Sequence, residues 1–406
     1  MTSAVLGTRS PAEQDVQVKR PSRIGITLLA FFLTIASLQQ FPQMGENSWI
    51  RPLVSVCEAA TFCVLLWLTP KVPGLVRWTS YAAALVLVRF LYGWLIANLQ
   101  YETDILGALQ EARFGFFIVG APAAYVFLRT ASIETIDRLV RTYIVFMLLL
   151  DAYVTVAYVG SGALKLADRS FDRFVLSIVG PLVAMWVKGL VLQRQGREPG
   201  FADYAVLGVF MLHIGLLTTS RSETVLLGSI LAQWIYARVP ILRWPLVGAM
   251  VIVVYFVVGS IFQQGQQVAG RDYALAVHYA QEAFPFGVGF VPEAAQKAQL
   301  GRASNFFTSD YGPLVLIYRY GALGVVVAFG LIVFWLRFAL KALYLPGTIL
   351  VAFATLVYLA IVPVLDYGSL NGGIMLGAMA AVASVASSSR KAARRQMATS
   401  SPTQPS

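Results

Sequence analysis

Charge is what this 406-residue chain has least of: 13% of its residues are Asp, Glu, Lys or Arg, against 58% that are hydrophobic. A soluble globular domain carries about 25% charged and 45–50% apolar residues, so that class is excluded. Cysteine is almost missing. Cys57 and Cys63 lie within one apolar run, on different sides of the helix it predicts, and give neither a disulfide nor a metal framework. No internal repeat is found, and the alternating segments of about 10 residues that build a membrane β-barrel are lacking. Acids are also short, 20 against 31 bases, for a net charge of +11.

What the chain has instead is apolar runs near the ~20 residues that cross a bilayer as a helix. They predict spans over Ile24–Phe41, Leu53–Leu68, Leu75–Leu99, Ile105–Leu128, Leu139–Gly160, Phe174–Leu192, Tyr204–Thr219, Thr224–Ala237, Leu246–Phe262, Pro313–Leu336, Thr348–Val364 and Asn371–Ala386. The eighth and twelfth are short enough to be re-entrant or tilted pieces. The expected fold is all-α: a polytopic membrane helix bundle of about 12 transmembrane helices with one large outer loop containing short helices.

Lys and Arg beside a span resist translocation and collect on the cytoplasmic side. With both termini inside, that side receives most of the 31 bases, from Arg9 and Lys19 to Arg394 and Arg395. Of the 20 acids it receives only Glu13, Asp15, Glu134, Asp137, Glu198 and Asp203. The +11 charge is therefore a topological bias, and nucleic acid is a poor explanation for it. The chain divides into a polar cytoplasmic tail expected to be disordered (1–23), spans one to nine (24–262), the outer loop (263–312), spans ten to twelve (313–386) and a basic cytoplasmic tail (387–406). The basic start followed by an apolar run imitates a signal peptide, but no small-residue cleavage site follows "LTIASLQQF", so it reads as an uncleaved span.

Within the outer loop, Tyr273, Ala276, Val277 and Ala280 are spaced for one helical face, which predicts an amphipathic helix on the outer membrane surface. The helix should break at Pro285, Gly287 and Gly289, a turn that lets the chain approach something closely.

Three stretches carry a resemblance. "LLTTSRSETVLL" resembles the Ser-Arg segment between mid-chain spans of the O-antigen polymerase and O-antigen ligase family of integral-membrane glycosyltransferases. "GRDYAL…FPFGVGF" is similar to that family's loop arginine followed by a Pro-x-Gly-x-Gly turn, and "SDYGPLVLIYRYGALG" to the segment leading into the next span. The resemblance covers Leu216–Gly324, and the polytopic pattern extends it along the chain. It implies a transferase that uses undecaprenyl-diphosphate-linked glycans at the periplasmic face of a bacterial plasma membrane. The lipid bilayer and a chain-length regulator are the implied partners, with no cofactor and no obligatory metal.

The chemistry of such a donor asks for arginine. Its leaving group develops charge on phosphate oxygens, and a planar guanidinium grips two of them in a poorly solvated site. Arg221 is one candidate; at a span end it could also snorkel to headgroups or pair with Glu223. Arg271 is another, because its R-x-x-x-L spacing to Leu275 matches the family's loop motif; a solvated loop charge is the alternative. Arg89, Arg113 and Arg319 lie in or near spans, where charge costs several kcal/mol and faces the bundle interior. They read as substrate-binding residues or as structural ion pairs, with Glu58 and Asp151 as available partners.

The acceptor hydroxyl needs a base. In the ligase branch a histidine precedes a glycine at the loop's end with ten residues between. Asp310 occupies that place before Gly321, which favours the polymerase branch with Asp310 as base, or else a plain helix cap. Asp366, in the outer turn "LDYGSLNGG", is the next candidate. His278 reads as a helix-face residue and His213 as a packed polar residue. A transporter or lipid-linked glycan flippase is the reading from a different class, since buried arginines and twelve spans also describe carriers; two matching halves with broken helices would support it, and they are not found.

Overall fold

The computed structural model describes residues 22–38, 50–112, 119–160, 176, 178–194, 197–215, 221–264, 273–291, 312–342, 373, 377, 378, 380 and 381. Among these the chain is helical, with a single isolated bridge between Leu38 and Leu176 and no strand. The helices are α1 (Arg23–Ile35), α2 (Ile50–Leu68), α3 (Pro73–Tyr101), α4 (Ile105–Ala112), α5 (Gly120–Thr130), α6 (Ile133–Gly160), α7 (Val179–Arg194), α8 (Phe201–His213), α9 (Arg221–Arg238), α10 (Arg243–Gln264), α11 (Tyr273–Glu282) and α12 (Gly312–Ala342).

Local chemistry sets many of their ends. Ser22 accepts the Gly25 N–H at 3.0 Å, and Asp104 accepts that of Gly107 at 2.8 Å, each satisfying an orphan donor of a first turn. Pro73 opens α3, where its missing N–H costs nothing, and Glu102 closes it in the left-handed conformation at φ 52°.

Segments of α3, α6 and α12 (Gly74–Tyr101, Ile133–Val156 and Leu314–Leu340) are long and apolar enough to cross a membrane, and several shorter helices are apolar too. Large hydrophobic side chains such as Leu91, Leu95, Leu149, Val326 and Phe329 point outward from them, as in helices that are apolar all round. The expected span Ile105–Leu128 includes α4 and most of α5, with residues 113–118 outside the described set. Pro122 lies in the first turn of α5, where its missing N–H costs nothing.

The core has four regions among the described residues, one of them Phe90, Ala108, Phe290, Leu316 and Tyr320. Leu29, Leu33, Phe127 and Met147 join α1, α5 and α6. Trp186, Phe210, Trp234 and Phe338 join α7, α8, α9 and α12. The fourth binds Ala97 of α3, Ala280 of α11, Val288 and Val291 to Val315 and Tyr318 of α12. The described part of the segment between α10 and α12 is thus packed into the bundle. Its helix forms where the spacing predicts it and buries Ala280 against protein, with His278 and Glu282 exposed on another face.

Candidate functional site

The turn after α11 is held by an exchange of backbone hydrogen bonds with α12. Gly321 interrupts that helix at φ 55°, ψ −128°. Helical pairing would give the Tyr318 carbonyl the Ala322 N–H, four residues on. Here Ala322 donates to the Pro285 carbonyl at 2.7 Å, and the carbonyls of Tyr318 and Arg319 accept the N–H groups of Val288 and Gly289, each at 2.9 Å. On the other side Phe290 N–H donates to Gly93 O of α3 at 3.0 Å, Tyr92 hydroxyl to Phe286 O at 2.8 Å and Gln100 Nε2 to Gly287 O at 3.2 Å. Irregular backbone that is buried must find its partners inside the protein, and the turn does so.

Three glycines make the approach possible. Gly287 (φ 81°), Gly289 (φ 70°) and Gly321 take the left-handed conformation, and a Cβ on them would overlap the carbonyl oxygens of Arg319, Gly93 and Pro285 respectively.

This docking builds an aromatic box for Arg89. Its Nε donates to the Tyr320 hydroxyl at 2.7 Å, and its guanidinium carbon lies 5.2 Å from the Phe290 ring centre and 5.5 Å from that of Tyr320. Phe290 stacks on Phe90 at 6.3 Å and meets Tyr320 edge-on at 5.9 Å. Arg319, whose carbonyl binds the turn, is 3% exposed, and Arg89 is 9% exposed. Two buried arginines from α3 and α12 are therefore tied to one rigid turn, where cationic donors act at reduced dielectric. No protein-family model, curated protein or solved structure matches this chain.

Of the residues nominated from the sequence, Arg89 and Arg319 are brought to this turn. Arg221 begins α9, and its side chain lies outside the described set. Arg113, Arg271, Asp310 and Asp366 fall outside the described residues altogether. The alternative partner offered for Arg221, Glu223, is buried and accepts the Ile178 N–H at 3.2 Å. Asp151, offered as a partner for a buried arginine, engages His213 Nδ1.

Sequence reasoning missed Tyr320, Phe290, Tyr92 and Gly93. A signal was present for the first two: Tyr320 stands between Arg319 and Gly321, and Phe290 follows the two glycines of the turn.

Proposed function

We propose that this protein is a twelve-span glycosyltransferase of the bacterial inner membrane that polymerises undecaprenyl-diphosphate-linked repeat units, at its periplasmic face, into O-antigen, capsule or exopolysaccharide. The observation that carries the reading is the pair of buried arginines, Arg89 and Arg319, fixed to the Pro285–Gly289 turn. A diphosphate leaving group gains negative charge as its bond to the sugar breaks, and preorganised guanidinium groups in a poorly solvated site lower that barrier. The order of the Ser-Arg segment, the loop arginine and the Pro-x-Gly-x-Gly turn supports the same reading. Arg221 and Arg271 hold the donor diphosphate from the two motif segments, and Arg113 and Asp366 complete the set that the sequence nominates around the glycan.

The test is made in cells that carry the gene as their sole copy. Arg221→Ala and Arg271→Ala should abolish long polymer with protein level intact, while single lipid-linked repeat units accumulate; lysine should restore little, because the two-oxygen grip is lost. Long lipid-linked chains left untransferred would instead identify a ligase. Units stranded on the cytoplasmic leaflet would identify a flippase.

A further inference from the structure

A buried acid–histidine pair lies on helices other than those that carry the two buried arginines. His213, the last residue of α8, meets Asp151 of α6 through Nδ1 and Oδ1, with side-chain exposures of 1% and 8%. A carboxylate on Nδ1 fixes the tautomer: that nitrogen carries the hydrogen and Nε2 presents its lone pair. Nε2 is enclosed and has no hydrogen-bond partner among the described residues. An oriented, desolvated acceptor of this kind is costly to bury for packing alone, and its chemistry suits one ligand class, a hydroxyl that gives up a proton.

The surroundings fit. Directly after His213, α8 widens into a π-type turn at Ile214 and Gly215, a distortion found frequently at functional sites. A Cβ on Gly215 would meet nothing within 4 Å, so this end of α8 is open on one face. The Ser-Arg stretch begins at Leu216, immediately beyond this turn. From Asp151 to its end at Gly160, α6 has about 14 Å left, which in the proposed orientation puts the pair in the outward-facing half of the bundle.

We propose that His213, oriented by Asp151, takes the proton from the acceptor sugar hydroxyl, in place of Asp310. This rests on the polymerase reading above. As the hydroxyl oxygen bonds to the anomeric carbon of the donor, its hydrogen passes to Nε2. The bond from that carbon to the diphosphate oxygen breaks, and undecaprenyl diphosphate leaves with the electron pair. The imidazolium is stabilised by the Asp151 carboxylate and returns its proton to the leaving diphosphate or to water. Asp151 is the positioning residue.

The experiment follows the cell's own pool of single lipid-linked units after a pulse of labelled sugar, with the full-length protein and its variants. Binding of undecaprenyl diphosphate to each purified protein in nanodiscs is measured alongside. His213→Gln should slow chain growth about 10²–10⁴-fold with binding unchanged. Asp151→Asn should slow it less, and the double variant no more than His213→Gln alone, because the two act as one unit. His278→Gln changes the other histidine, exposed on α11, and should leave chain growth as in the wild type. Wild-type chain growth in His213→Gln, or binding lost in step with rate, overturns the assignment. A wild-type protein that leaves single units unextended overturns the polymerase reading instead, and that is read before any variant.

Discussion

The Phe290 backbone N–H donates to the Gly93 carbonyl over 3.0 Å, so a turn late in the chain is hydrogen-bonded to the C-terminal third of α3. Gly289 makes this approach possible, since a side chain there would strike the Gly93 carbonyl oxygen and the Ala97 nitrogen. The first prediction concerns Gly289→Ala. Left-handed backbone costs a non-glycine residue roughly 1–2 kcal/mol, and the overlap forces the turn off α3 as well. The thermal transition in detergent should fall by several degrees and polymer should be lost. Gly208→Ala is the control: it lies in α8, where a Cβ meets nothing within 4 Å, and alanine should stabilise the helix by about 0.5–1 kcal/mol. Equal transitions for wild type and Gly289→Ala would mean that the docked turn contributes nothing to stability.

The second prediction concerns the coupling of Arg89 to Tyr320. A hydrogen bond to a charged group contributes about 1.5–3 kcal/mol, and an enclosed cation over an aromatic face adds about 2. Tyr320→Phe removes the first and leaves the second, so it should be the milder change. Arg89→Lys loses both the Nε donor and the flat stacking surface and should be the more severe. In a double-mutant cycle with Arg89→Met, the pair should couple by about 0.5–3 kcal/mol. Additive losses would show that the two side chains act independently.

Periodicity and punctuation carried much of this structure. The helix over Tyr273–Glu282 and the turn at Pro285–Gly289 follow from spacing and from residues that only turns accommodate well. What the turn docks against was not legible, because Arg89 and Tyr320 are separated by 231 positions and a helical pattern names a face, never its partner. The same limit made Asp151 read as a partner for an arginine and not for His213: a span with one polar residue looks alike whether that residue meets lipid, solvent or a partner on another helix.

The last prediction concerns orientation, on which the outward placement of the donor site depends. In the proposed twelve-span arrangement Arg77, Arg129, Arg141 and Arg238 share one side, and the bases of both tails should lie there too because positive charge resists translocation. The segment holding Ser304 then lies outside the cell membrane and Ser401 inside. Cys63 is exposed and Cys57 buried, so Cys63→Ser gives a quiet background for labelling. In that background Ser304→Cys should react with a membrane-impermeant thiol reagent in intact cells, and Ser401→Cys only after the membrane is opened. Labelling of Ser401→Cys alone would invert the bundle and place Arg271 and Asp310 in the cytoplasm, away from any donor presented at the outer face. Equal labelling of both in intact cells would require an even number of crossings between them and would rule out the twelve-span arrangement, with the last short apolar run, Asn371–Ala386, then failing to cross.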